Sequence, residues 1–123
     1  RQETGWFQGK DGKWRYEIGA AGAPLAAVPG RLVADFPGRI LLDSLAILAS
    51  GKIAQATLVD RPGIGGADPA TGEIVYHAFP DLLTTNIAFG GADMRDAAVT
   101  LSTTGKLALA RWDEPGLRLN FNA

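Results

Sequence analysis

The sequence predicts an all-β chain, and three observations carry that prediction. Sixteen glycines and seven prolines punctuate the 123 residues at intervals of roughly eight to twelve, which leaves little room for long helices and matches sandwiches, barrels and propellers. Several of the intervening segments alternate large apolar and polar side chains, as half-exposed strands do. A unit also recurs. Ser44-Leu45-Ala46-Ile47 aligns with Asn86-Ile87-Ala88-Phe89 at an offset of 42 residues, and Ala56-Thr57-Leu58-Val59 lies close to Val99-Thr100-Leu101-Ser102 with one extra residue in the second turn. A period of about 40–50 residues carrying four strands is the signature of a propeller blade.

Taken in order, Arg1 to Gly12 has no clear pattern, and Lys10-Asp11-Gly12-Lys13 is expected to turn. Trp14-Arg-Tyr-Glu-Ile18 alternates and predicts a strand. Gly19 to Gly30, small residues and prolines, predicts a loop, and Arg31 to Phe36 a second strand closed by Pro37-Gly38. Leu41 to Leu48 is apolar apart from Asp43 and Ser44, and Ser50-Gly51 turns it into a strand from Lys52 to Val59. Leu41 to Ala49 and Leu107 to Trp112 have helix-compatible compositions, but each is too short and too tightly bracketed by glycine or proline to prefer helix. Arg61-Pro62-Gly63 turns again. Gly63 to Ala67 is a weak strand by propensity, with three glycines in five residues. Asp68-Pro-Ala-Thr-Gly72 is a strong turn before the alternating strand Glu73 to Phe79. A hairpin follows: Ile87 to Phe89, a turn over Gly90 to Asp96, and Ala97 to Leu101. Gly90 and Gly91 can take positive φ at no steric cost, and Asp93 and Asp96 can bond their own nearby backbone. Lys106 to Trp112, the turn Asp113-Glu-Pro-Gly116 and a last strand over Leu117 to Phe121 complete the chain.

Composition bounds the function. Hydrophobic residues are 46% and charged residues 20%, a globular balance that argues against disorder. A formal net charge of −1 and the lack of a basic, aromatic-interleaved stripe leave no basis for a nucleic-acid partner. No apolar run approaches a membrane span and no signal-peptide pattern opens the sequence, so no membrane partner is expected. With no cysteine, disulfides and thiolate metal sites are excluded, which fits a reducing compartment, here the cytoplasm. The chain is long enough for one domain or part of one. Its first residue is Arg rather than Met.

The run Thr84-Thr-Asn-Ile-Ala-Phe-Gly-Gly91, with Asp93, followed by Val99-Thr-Leu-Ser102 and Thr104-Gly-Lys-Leu107, resembles the last blade of the SMP-30/gluconolactonase family of six-bladed β-propellers. Three further segments resemble that family in order: Gly30 to Ala34 with Pro37-Gly38, Leu42-Asp43-Ser44-Leu45-Ala46, and the turn Asp68-Pro-Ala-Thr-Gly-Glu73. Pro115-Gly116-Leu117 through Phe121 is similar to its natural C-terminus. The resemblance covers roughly Arg31 to Ala123. It implies a partial β-propeller of about two and a half four-stranded blades: 1–38 a partial blade, 39–80 a blade and 81–123 the last blade.

What the resemblance implies chemically is metal-dependent hydrolysis of a sugar lactone or related cyclic ester. A divalent metal ion, calcium or zinc, would polarise the carbonyl while a carboxylate helps activate water. Asp43 is the one position that matches a metal-binding and general-base Asp of the family. The family's other ligands, a Glu from the first blade and an Asn from the middle blades, have no counterpart here, and one carboxylate does not hold a catalytic metal alone. Leu48 stands where relatives carry an acidic residue, and Gly65, Gly66 and Ala67 replace β-branched residues of the third strand. The isolated chain is therefore expected to be inactive.

Blander roles compete for the same residues. Asp43 also reads as a strand-entry residue bonded to its own backbone, Asn86 as a structural hydrogen-bonder, and His77, the single histidine, as a surface residue of an outer strand. Gly63-Ile-Gly-Gly66 and Gly90-Gly91 lack the spacing and following helix of a dinucleotide loop. Ser44, Ser50 and Ser102 lack the context of a nucleophile elbow. Trp14, Tyr16 and Trp112 read as blade packing. Three expectations stand side by side: the C-terminal part of a lactonase whose N-terminal half is missing, a non-catalytic β-module, and a half-propeller completed by a second copy, since open strand edges invite pairing.

Overall fold

A computed structural model describes the backbone of residues 3–8, 10, 14–19, 26–29 and 32–120, and side chains at 10 and over 32–120. Every regular element among the described residues is a β-strand. The chain divides into two compact units, Arg1–Leu32 and Val33–Ala123.

The first unit is a three-stranded antiparallel meander of β1 (Glu3–Gln8), β2 (Trp14–Gly19) and β3 (Ala26–Pro29), in the order β1-β2-β3. The expected strand over Trp14 to Ile18 is β2. The expected loop over Gly19 to Gly30 is corrected, because Ala26 to Pro29 pairs with β2, Pro29 opposite Arg15. Alanine and proline have poor strand propensity, yet an edge strand tolerates proline, having no ladder partner for the missing N–H on its outer side. Asp11, Gly12 and Lys13 of the expected turn lie outside the described residues, and Lys10 is in a turn.

The second unit holds seven strands in two antiparallel sheets. One is a four-stranded meander of β4 (Ile40–Ile47), β5 (Ile53–Val59), β6 (Gly63–Ala67) and β7 (Ile74–Ala78). The other is a three-stranded meander of β8 (Thr84–Gly90), β9 (Asp96–Leu101) and β10 (Lys106–Arg111). The two segments aligned by the 42-residue repeat are thus the first strands of successive sheets.

Strand register decides which side chains meet. Ala56 pairs with Ile64 and Ile64 with His77, while Ala54 pairs with Gly66 and Gly66 with Val75, so these residues share one face. In the other sheet Ile87 pairs with Val99 and Phe89 with Ala97. Ala54, Ala56, Ile64, Ile87, Ala97 and Val99 form one buried cluster with Leu48, Leu101 and Trp112. This is the core, and small residues opposite Ile and Val let the layers interdigitate. Cross-links between the sheets are backbone hydrogen bonds at two ends: Val59 N–H to Leu82 C=O at 3.0 Å, and Leu117 N–H to Ile47 C=O at 2.8 Å.

β6 is a central strand despite its three glycines, and two of them are there for space. At Gly63, φ is +152°, and a Cβ would strike the backbone of His77 and Ala78 on the neighbouring strand. At Gly65 a Cβ would come within 2.5 Å of the Phe36 ring. Phe36 lies over this outer face of the sheet and meets Tyr76 edge-on, ring centroids 6.2 Å apart. That placement explains one correction: residues 32–37 make no strand, because the segment crosses the sheet face and packs by side chain, ending at Pro37. The expected last strand is a second correction. Gly116 forms an isolated bridge with Leu48 and Leu117 N–H reaches the Ile47 carbonyl, but residues 117–120 add no further pairs and so form no ladder. Phe121 lies outside the described residues.

Candidate functional site

Asp43 stands on β4 at an irregularity of the ladder: Leu42 pairs with Thr57, the next pair is Leu45 with Gln55, and Asp43 with Ser44 forms the bulge between. A bulge turns backbone carbonyls away from their ladder partners. The buried side chain of Gln55 takes them up, its Nε2 donating to the carbonyls of Asp43 at 3.0 Å, Ser44 at 3.3 Å and Ala56 at 3.0 Å. The Asp43 carboxylate itself is exposed, and its hydrogen bond is a long one, 3.4 Å from Ser44 Oγ. Among the described residues no group of three or more His, Asp or Glu side chains is arranged to hold a metal ion. Asp43 thus belongs to no such group among the described residues, and a calcium or zinc centre takes several converging oxygen or nitrogen ligands. Asn86 is a structural residue, its Oδ1 accepting the Ile87 N–H at 2.8 Å.

A second feature, not singled out by the sequence, is a cleft of about 210 Å3. Strands of the first sheet contribute Ala54, Gly66, Val75 and His77, and the segment after β10 contributes Trp112, Asp113 and Glu114. His77, expected at the surface, is half-buried and its ring lies 4.6 Å from that of Trp112. Phe89 backs Trp112 edge-on at 6.0 Å. On one rim Lys52 Nζ contacts Glu114 Oε1 at 2.7 Å, and Ser50 Oγ donates to Glu114 Oε2 at 2.6 Å. The hydrogen bonds from Lys52 and Ser50 hold the Glu114 carboxyl below the ordinary range, and the bond and charge of Glu114 raise the Lys52 ammonium in turn. Asp68 and Glu73 stand at the other side, flanking the turn in which Asp68 Oδ1 caps the Ala70 N–H at 2.8 Å. Arg95 braces the Trp112–Glu114 segment from behind, donating to the carbonyls of Trp112 and Asp113.

Comparison with known proteins adds one similarity. Residues 1–26 match a family described as large polyvalent protein associated domain 23. No curated protein matches the chain. The matched residues fall in the first unit, and neither Asp43 nor the cleft lies within them.

The remaining strongly perturbed group is structural. Asp81, buried in the connection between β7 and β8, accepts hydrogen bonds from the N–H groups of Leu83, Thr103 and Thr104 and from the Thr104 hydroxyl at 2.7 Å. Burial pushes its carboxyl up, but these four donors outweigh burial and hold it far below the usual carboxylate range. Asp81 ties the β7–β8 connection to the β9–β10 turn. Its signal in the sequence, an Asp between Pro80 and two leucines, is that of any turn.

Proposed function

We propose that the chain is a non-catalytic β-module of the propeller kind that assembles with a second copy through the free edge of β4. Successive antiparallel meanders whose first strands repeat at 42 residues support the propeller reading, as does the run of family-like motifs. The similarity of residues 1–26 to a domain described as associated with large polyvalent proteins supports a modular role.

The observation that carries the proposal is the state of β4. Its only ladder partner among the named strands is β5; the end of its other edge is taken by Leu117, whose N–H bonds the Ile47 carbonyl, while Leu41, Leu42 and Leu45 beside the open part are 57%, 49% and 51% exposed. Leu117 and Leu119 extend the apolar lining, sharing a groove with Leu45, Ala46, Ile47 and Phe89. Unpaired strand edges template pairing, and contiguous apolar patches of this kind mark interaction surfaces. Apart from Asp43 the strand carries no charge that would select a partner of opposite sign. A second β4 approached about a two-fold axis satisfies both edges with one surface. Metal-dependent lactone hydrolysis, the other reading of the family resemblance, has the single exposed carboxylate of Asp43 to rest on among the described residues.

Light scattering of the full chain tests the assembly: a mass twice 12.9 kDa is expected, falling to the single value in Leu45→Lys. A monomer at all concentrations overturns it. Calorimetric titration with calcium and zinc tests the non-catalytic half of the proposal. Heat of binding that disappears in Asp43→Asn would restore the metal-centre reading.

A further inference from the structure

The cleft beside Trp112 has a chemistry of its own, independent of the β4 edge. Its floor is largely apolar: Leu48, Ala54 and Val75 line it together with the tilted His77–Trp112 ring pair. Its polar residues stand at the rim and are nearly all acidic. Lys52 pairs with Glu114 at 2.7 Å and also feels the charges of Asp68 and Glu73, yet as the one lysine against four carboxylates it leaves the lining net negative. Arg95 behind the loop compensates part of this charge, its Nη1 donating to the backbone carbonyls of Trp112 and Asp113. A concave site with walls of low dielectric focuses such a field, so anions are repelled and cations drawn in. A bare metal ion does not suit it, because the carboxylates do not converge on one point. The volume, about 210 Å3, is below the roughly 300–1,000 Å3 of sites for drug-sized ligands, and fits a group the size of one side chain.

We propose that this cleft binds an alkylammonium group, its methylene stem lying on the Val75 and His77 floor and its charged head drawn to the acidic rim that Asp68, Glu73 and Asp113 supply. Long cationic side chains divide themselves in this way between apolar surface and polar rim. The same chemistry is offered by a free aliphatic diamine and by a lysine side chain of a peptide.

The test uses the full chain and two probes, 1,5-diaminopentane and a blocked Gly-Lys-Gly peptide, with valerate as the anionic control. The imidazole signals of His77 report directly, since the sequence has one histidine. Saturable shifts with Kd on the order of 1 mM are expected for at least one amine, and the tighter of the two identifies the source. The Glu73→Gln, Asp113→Asn double variant, at two exposed positions, is expected to weaken binding about fivefold. Val75→Lys, at a residue 55% exposed, places a tethered ammonium on the floor and is expected to abolish it. Equal binding of valerate, absence of saturable shifts for both amines, or affinity unchanged in both variants would overturn the proposal.

Discussion

Replacing Gln55 by Met tests how β4 holds its shape. The two side chains are similar in volume, so the substitution removes the amide with little change in packing. Gln55 is 7% exposed and its Nε2 serves three carbonyls, those of Asp43, Ser44 and Ala56. An amide nitrogen has two protons, so three contacts represent at most two full bonds and one shared. At about 0.5–1.5 kcal/mol net for each bond, Gln55→Met loses about 1–3 kcal/mol. Water can reach the exposed bulge and recover part of the loss there, but not at the Ala56 carbonyl inside the sheet. With a urea m-value of about 1–3 kcal/mol/M, the midpoint of unfolding falls by on the order of 1 M. Amide exchange at Ser44 and Leu45 should accelerate more than exchange in β9, because the released carbonyls lie on β4 and β5 and none on β9. Gln55→Glu should be worse than Met near neutral pH, since a carboxylate would face three carbonyl oxygens, and should improve on acidification as that carboxyl protonates. A Met variant within about 0.5 kcal/mol of the parent, the range of an ordinary surface substitution, refutes the reasoning.

Other outcomes follow from the same structure. The Asp81 carboxyl is held below its unfolded value, so its contribution is complete above about pH 4 and is lost as pH falls below that. Asp81→Asn should therefore be less stable at neutral pH and show a flatter acid limb in denaturation followed by circular dichroism. Gly116→Ala sets a methyl group inside van der Waals contact of Phe89 Cβ and Cγ, atoms that cannot swing away, and should cost about 1–3 kcal/mol in urea unfolding. Gly65→Ala meets only the rim of the Phe36 ring; the ring can yield, so the loss should be smaller, with a change in the Phe36–Tyr76 aromatic signal. Asp43→Asn should leave stability within about 0.5 kcal/mol, because Gln55 engages the backbone at that position.

Much of the fold was legible where a pattern of period two met clear turn chemistry. The hairpin from β8 to β9, the turn over Asp68 to Gly72 and the alternating β7 all lie where the sequence places them. β6 was the weakest strand by propensity and is among the most buried, because its glycines are required by neighbours, Phe36 and the β7 backbone, that no local rule can see. Residues 32–36 have strand composition but no strand to pair with, and partnership is a tertiary property. The cleft escaped notice for the same reason. His77, Trp112 and Lys52 are far apart in sequence, and only the β5-β6-β7 register and the return of the chain after β10 bring them together. For Asp43 the local motif was visible, whereas its exposure and the role of Gln55 follow from the register across β4 and β5.

The manner in which Gln55 grips the bulge has a consequence for how this surface can change. The clamp reads main-chain oxygens, which every amino acid possesses, and ignores what is attached at the Cα of residues 43 and 44. The strand therefore keeps its course whichever side chains stand at these two positions. A loop graft, a fluorophore or a new pair of ligands placed there would inherit a rigid, outward-facing mount whose geometry is guaranteed from the neighbouring strand.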